Sequence, residues 1–104
     1  MDMPTDGSLQ KLQEYIWEMN KQRGFNTTDP SKKLVMLLEE AGELAKATRK
    51  IAGLKFTDTT LQTNVREELA DVQIVLLGLA SMLDVDMFEA VKEKEEKNQK
   101  REWK

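Results

Sequence analysis

Residues 29–53 read DPSKKLVMLLEEAGELAKATRKIAG, and this stretch decides the fold class. Asp29 has the side chain of an N-terminal helix cap. Pro30 suits the first helical position, where its missing N–H costs nothing. Leu, Met, Glu, Ala and Lys then follow at helical rather than alternating spacing, and Gly53 stops the run. The spacing predicts a helix from Pro30 to Ile51 or Ala52 with an apolar stripe of Leu34, Leu37, Leu38, Ala41, Leu44, Ala45 and Thr48. Within it lies Glu39-Glu40-Ala41-Gly42-Glu43. On a helical wheel Glu40 falls at the edge of the stripe, Glu43 one step further out, and Glu39 points away.

The pattern extends in both directions. Leu9, Leu12, Ile16 and Met19 predict an earlier helix over Leu9 to Arg23, capped by Gly24, with Phe25 to Asp29 as a loop. Residues 54–60 form the next connection. A third helix is expected from Thr60 or Leu61 to about Leu83, with a stripe of Leu61, Val65, Leu69, Val72, Val75, Leu76, Leu79, Met82 and Leu83. Ile74 and Leu77 are expected to point away from it as an exposed flank. After Asp84-Val85-Asp86 a fourth helix runs from Met87 to about Lys100, with Asp86 as its cap and Glu89 completing a capping-box pair. Four helices with short connections predict an all-α, four-helix bundle-type fold. The expected organisation is a disordered leader (1–8), one helical domain (9–101) and a short tail (102–104).

Composition restricts the chemistry. The 104 residues contain no cysteine and no histidine. Disulfides, thiolate zinc sites, Cys nucleophiles and His-based triads are therefore excluded. Asp+Glu is 19 against 16 Lys+Arg, a formal charge of -3, which suggests no polyanion-binding surface. The basic tail is interleaved with Glu93, Glu95, Glu96 and Glu102, so a nucleic-acid polymer is not an expected partner. No apolar run is long enough for a membrane span. A soluble, cytoplasmic protein is expected.

The acids carry the one constellation with chemical content. Glu40/Glu43 and Glu68/Asp71 are pairs at i,i+3, each sharing a helix face. Glu68 projects inside the apolar stripe of the third helix, with Asp71 at its margin. Converging carboxylates need protons or cations to coexist. Hard divalent ions take oxygen ligands, and without histidine a Glu-x-x-His di-iron site is lost, leaving Mg²⁺ or Mn²⁺. The residues alone leave a second possibility open, that these acids are solvated charges neutralised by Lys46, Arg49, Lys50 and Arg66. That possibility corresponds to a non-catalytic helical interaction or oligomerisation module. A metal-binding bundle without hydrolysis is a third.

Glu39-Glu40-Ala41-Gly42-Glu43-Leu44-Ala45 followed by Glu67-Glu68-Leu69-Ala70-Asp71-Val72 resembles the signature of the MazG-like all-α nucleoside triphosphate pyrophosphohydrolases. The similarity spans about Leu9 to Arg101 and is nearest to the small, single-domain, dCTP pyrophosphatase-like branch. The resemblance implies Mg²⁺-dependent hydrolysis of a (deoxy)nucleoside triphosphate to the monophosphate and pyrophosphate, in nucleotide-pool clean-up. It implies Glu40, Glu43, Glu68 and Asp71 as metal ligands, with Glu39 or Glu40 orienting the attacking water. It assigns Lys94 and Asn98 to substrate contact, with Arg101 on the same helix face.

By the same resemblance Phe25 sits where pyrimidine-selective relatives carry a stacking aromatic, and Trp17 would line the same pocket. Lys50 and Val75 stand where the dCTP-type relatives use aromatics, which argues against carrying over a cytosine preference. The family works as homodimers or homotetramers. The same expectation follows from a chain too short to hide much of its own surface.

Overall fold

The computed structural model describes residues 1–25, 27–51 and 59–101, and four α-helices account for most of them: α1 (Leu9–Gln22), α2 (Pro30–Ile51), α3 (Thr59–Met82) and α4 (Met87–Gln99). These bounds fall within two residues of those expected. The expected connection 54–60 and tail 102–104 fall mostly or wholly outside the described residues.

Local chemistry sets the helix ends. The Lys11 N–H donates to Ser8 Oγ at 3.2 Å at the start of α1. The Lys32 N–H donates to Asp29 Oδ1 at 3.2 Å at the start of α2, and the Glu89 N–H to Asp86 Oδ1 at 2.9 Å at the start of α4. Two helices close on a left-handed residue. Gly24, at φ 68°, turns the chain after α1 so that the Phe25 N–H reaches Asn20 O at 2.9 Å. Asp84, at φ 56°, does the same after α3, bringing the Val85 N–H to Ala80 O at 2.9 Å. Aspartate is among the few side chains that tolerate this region.

The N-terminal residues expected as a leader make defined contacts. Ser8 is the α1 cap, and the Asp6 carboxylate accepts from the Ser8 N–H and, at 2.7 Å, from Lys11 Nζ.

The central element is α3, which packs against both α2 and α1, while α4 docks on α1. Helices α2 and α3 run antiparallel. Lys33 lies against Gly78, Glu40 against Asp71 and Glu68, and Glu43 shares a hollow with Asn64 and Glu68. Val75, Leu77, Gly78 and Ala80 of α3 are buried together with Ile16 of α1. Leu77 is wholly inaccessible, which corrects the expectation that it belongs to an exposed flank. α3 packs against α1 as well as α2, so the helix is enclosed beyond its main stripe. Ile74 remains exposed as expected.

The apolar stripe of α2 also needs correction. The covered line runs through Lys33, Leu37, Glu40, Leu44, Ala47 and Ile51. At 100° per residue this line is turned by roughly 80° from the centre of the expected stripe. Leu34, Leu38, Ala41 and Ala45 are consequently exposed, Leu38 at 65%. The radius of gyration is 16.2 Å, whereas a compact domain of this length has about 13 Å. The single chain does not close its own bundle.

Gln13 fastens α1 to the α3–α4 turn. Its amide donates to Val85 O at 2.7 Å and to Ser81 Oγ at 3.1 Å, and its Oε1 accepts from the Met87 N–H at 2.9 Å. Replacing it with leucine fills similar space but takes the partner from the part-buried Val85 carbonyl and Met87 N–H. Gln13→Leu is expected to destabilise the chain by about 1–3 kcal/mol in urea denaturation.

Candidate metal centre and adjoining cavity

The antiparallel register of α2 and α3 brings their acids together. Glu40, Glu68 and Asp71 each offer a carboxylate oxygen, and the three atoms lie within 4.8 Å of one another. Glu40 and Glu68 are half-buried and Asp71 is exposed, so the cluster opens to solvent on one side. Glu43 stands beside it, sharing a polar hollow with Glu68, Lys46 and Lys50.

Glu68 is under the most stress. Its Oε2 is buried without a hydrogen-bond partner among the described residues. Loss of hydration pushes its carboxyl above the ordinary range, and the charges of Glu40, Asp71 and Glu43 push it further the same way. No ion pair among the described residues joins these acids to a lysine or arginine. An all-oxygen donor set with an orphaned carboxylate oxygen fits a hard divalent cation such as Mg²⁺ or Mn²⁺.

The other expected site residues are dispersed. Glu39 is exposed and outside the cluster. Phe25 lines a cavity of about 360 Å³ formed by α1, α2 and α3, in company with Tyr15, Ile16, Met36 and Val75. Trp17 does not reach that cavity. It borders a separate hollow beside Gln13 and the α3–α4 turn, with Lys21 Nζ 6.0 Å from its ring centre. Its helix position, one residue beyond Ile16, turns it about 100° away. Lys94 and Asn98 share a shallow hollow on α4 with Met87, Ala90 and Val91, apart from the acids, and the exposed Arg101 follows at the end of that helix.

Sequence reasoning passed over Asn20 and Lys33. Both are buried and both line the 360 Å³ cavity. The available signal was a polar residue at helical spacing with Ile16 in α1, and a lysine seven positions before Glu40 in α2.

Among the described residues no helix is long and apolar enough to cross a membrane. No curated protein matches the chain. Comparison with protein families aligns residues 28–104, about three quarters of the chain, with the MazG nucleotide pyrophosphohydrolase domain. The aligned region begins at the α2 cap and takes in both acidic helices and α4. The facing acids of α2 and α3 therefore sit within a shared domain, and the chain belongs to the MazG nucleotide pyrophosphohydrolase domain family.

Proposed function

We propose that the chain hydrolyses a nucleoside triphosphate to the monophosphate and pyrophosphate at the α2–α3 acids, as a clean-up enzyme of the nucleotide pool. The observation that carries this reading is the convergence of Glu40, Glu68 and Asp71 within 4.8 Å, with Glu68 Oε2 buried and unpartnered among the described residues. Bound there, Mg²⁺ or Mn²⁺ supplies charge neutralisation for the phosphate oxygens and for the reacting water. Glu40, Glu68 and Asp71 hold the ion, and Glu43 adds a fourth carboxylate from the adjoining hollow. Water forms a new bond to phosphorus as the bridging P–O bond to pyrophosphate breaks, and the water proton passes to a carboxylate. Of the two glutamates considered for orienting that water, Glu40 lies in the cluster and Glu39 outside it, which favours Glu40. Such a site works by positioning and electrostatics and needs no histidine.

The exposed strip of α2 and the open radius of gyration support assembly as a homodimer or homotetramer. In such an assembly Lys94, Asn98 and Arg101 of a neighbouring copy can approach the phosphates.

Incubation with a panel of nucleoside and deoxynucleoside triphosphates and Mg²⁺ or Mn²⁺ tests the reaction. Pyrophosphate is the expected product, and orthophosphate is not. A panel that releases no pyrophosphate with either ion sinks the enzyme reading and leaves the helical interaction module in its place.

A further inference from the structure

The cavity beside the acids is apolar along most of its wall, and two buried polar residues interrupt it. Asn20 of α1 is 4% exposed and Lys33 of α2 is 3% exposed. Arg23 and Gln73 also line the cavity but reach solvent. Asn20 and Lys33 are cut off from solvent. The Asn20 amide nitrogen has no hydrogen-bond partner among the described residues, and no described carboxylate pairs with Lys33.

Gly78 makes room for both. A methyl group there would stand 3.0 Å from Asn20 Nδ2, 3.0 Å from Lys33 Cε and 3.5 Å from Lys33 Nζ. The two side-chain ends therefore meet over the α3 backbone at its one point without a side chain. Keeping an unpaired amide out of water is expensive, and native proteins rarely leave such a donor without an acceptor. Burial alone holds the Lys33 ammonium below its ordinary pKa, the direction expected where no anion compensates it.

The donors lie at a fixed distance from the acids. Lys33 precedes Glu40 by seven residues on α2, and Gly78 follows Asp71 by seven on α3. Both antiparallel helices thus separate donors from acids by about 10 Å at 1.5 Å per residue. Ala70 and Gln73, flanking Asp71, line the near end of the cavity, and Tyr15 and Phe25 supply aromatic surface within it. A nucleotide with its phosphates at the acids would have its base in this cavity.

We propose that Asn20 and Lys33 form a donor pair that selects nucleobases with an oxo group at pyrimidine C4 or purine C6, namely uracil, thymine, hypoxanthine or guanine, over cytosine and adenine, which carry an amino group there. The proposal rests on the pyrophosphohydrolase reading for the identity of the ligand as a nucleotide. The discriminating atom is single. Uracil O4 and hypoxanthine O6 accept hydrogen bonds, whereas cytosine N4 and adenine N6 donate them. An ammonium only donates, so an amino base leaves the Lys33 donor facing another donor, both unpaired. Sites built around a buried hydrogen bond reject the analogue that cannot make it far more strongly than apolar pockets reject a size change.

The test uses nucleotides that cannot be turned over, with Mg²⁺ present. The 5′-monophosphates of deoxyuridine and deoxycytidine form one pair, and those of deoxyinosine and deoxyadenosine the other. Titration calorimetry is expected to show the oxo member of each pair binding at least about tenfold tighter. Lys33→Met should bring the two members to within about twofold. Gly78→Ala, which pushes both donors aside without removing either, should erode the preference in the same direction. Equal binding, a preference for the amino base, no binding of any of the four, or an undiminished preference in Lys33→Met overturns the proposal. Should Lys33→Met not fold, the wild-type comparison and Gly78→Ala still decide. Oxo-selective binding without pyrophosphate release from any triphosphate would sink the enzyme reading and keep the pocket. Pyrophosphate release without base selectivity would do the reverse.

Discussion

Glu68→Gln is expected to lower pyrophosphate release by about a thousandfold or more and, in EDTA, to raise the melting temperature. The two effects have one source. Glu68 is held away from water beside Glu40, Asp71 and Glu43, so its charged form is disfavoured in the folded chain. A carboxyl raised above its unfolded value binds more protons folded than unfolded between the two pKa values. The contribution of Glu68 to metal-free stability is therefore greatest below the ordinary carboxylate range and is lost as pH rises through the raised pKa. Glutamine keeps the shape and removes the charge, so this fall should flatten in the variant. A cation reverses the balance for the wild type, binding the carboxylate and displacing its proton. Mg²⁺ should then raise the wild-type midpoint more than that of Glu68→Gln, as ligand binding to the native state requires. Melting scans across pH, with EDTA or Mg²⁺, read all of this without a substrate. A variant that melts lower in EDTA would make Glu68 a structural partner, and one that still turns over at the wild-type rate would remove it from the metal set.

The parts of this site legible in sequence are those written in local spacing. Asp29, Asp86 and Gly24 mark helix ends because a cap is a contact between residues three or four apart. The pairs Glu40/Glu43 and Glu68/Asp71 stand out because i,i+3 acids share a face whatever the fold does. The rotation of α2 was not legible in the same way. A helical wheel ranks faces by hydrophobicity and so picked out Leu34, Leu38, Ala41 and Ala45, whereas the chain turns Lys33 and Glu40 inward. Gln13 shows the reason. Its bonds to Ser81, Val85 and Met87 cross about seventy positions of sequence, and they make a buried amide favourable where the wheel reads an error. Asn20 is hidden from the wheel as well, a buried amide at helical spacing with Ile16. Trp17 was misplaced because aromatic character says nothing about which of two adjacent faces of α1 meets the cavity. Buried polar groups are invisible to periodicity, and here they line the cavity beside the acids.

Leu38→Glu is expected to break the assembly while leaving the folded protomer intact. Leu38 is 65% exposed at the middle of a strip with Leu34, Ala41 and Ala45, and the α2 line that faces α3 lies elsewhere. A substitution there disturbs no contact with α3, so its cost falls on whatever covers the strip. In a two-fold interface the same position occurs on both copies, and each would bury an unpaired carboxylate against apolar surface. At about 3 kcal/mol for each buried charge, the dimer weakens by roughly ten-thousandfold, since every 1.4 kcal/mol is a factor of ten. Light scattering should find wild-type mass at a multiple of 12.0 kDa and Leu38→Glu at 12.0 kDa, with helical circular dichroism retained. Lys32→Glu, an exposed carboxylate on the far side of the same helix, should leave the wild-type mass unchanged. A wild-type chain already at 12.0 kDa, or a Leu38→Glu chain at the wild-type multiple, would place the interface elsewhere or remove it. Loss of the multimer in Leu38→Glu alone would mean that α2 is amphipathic toward two partners, α3 on one line and a second copy on the other. The offset between its polar-lined inner face and its apolar outer strip would then be the means by which a short chain both builds an acidic site and covers itself.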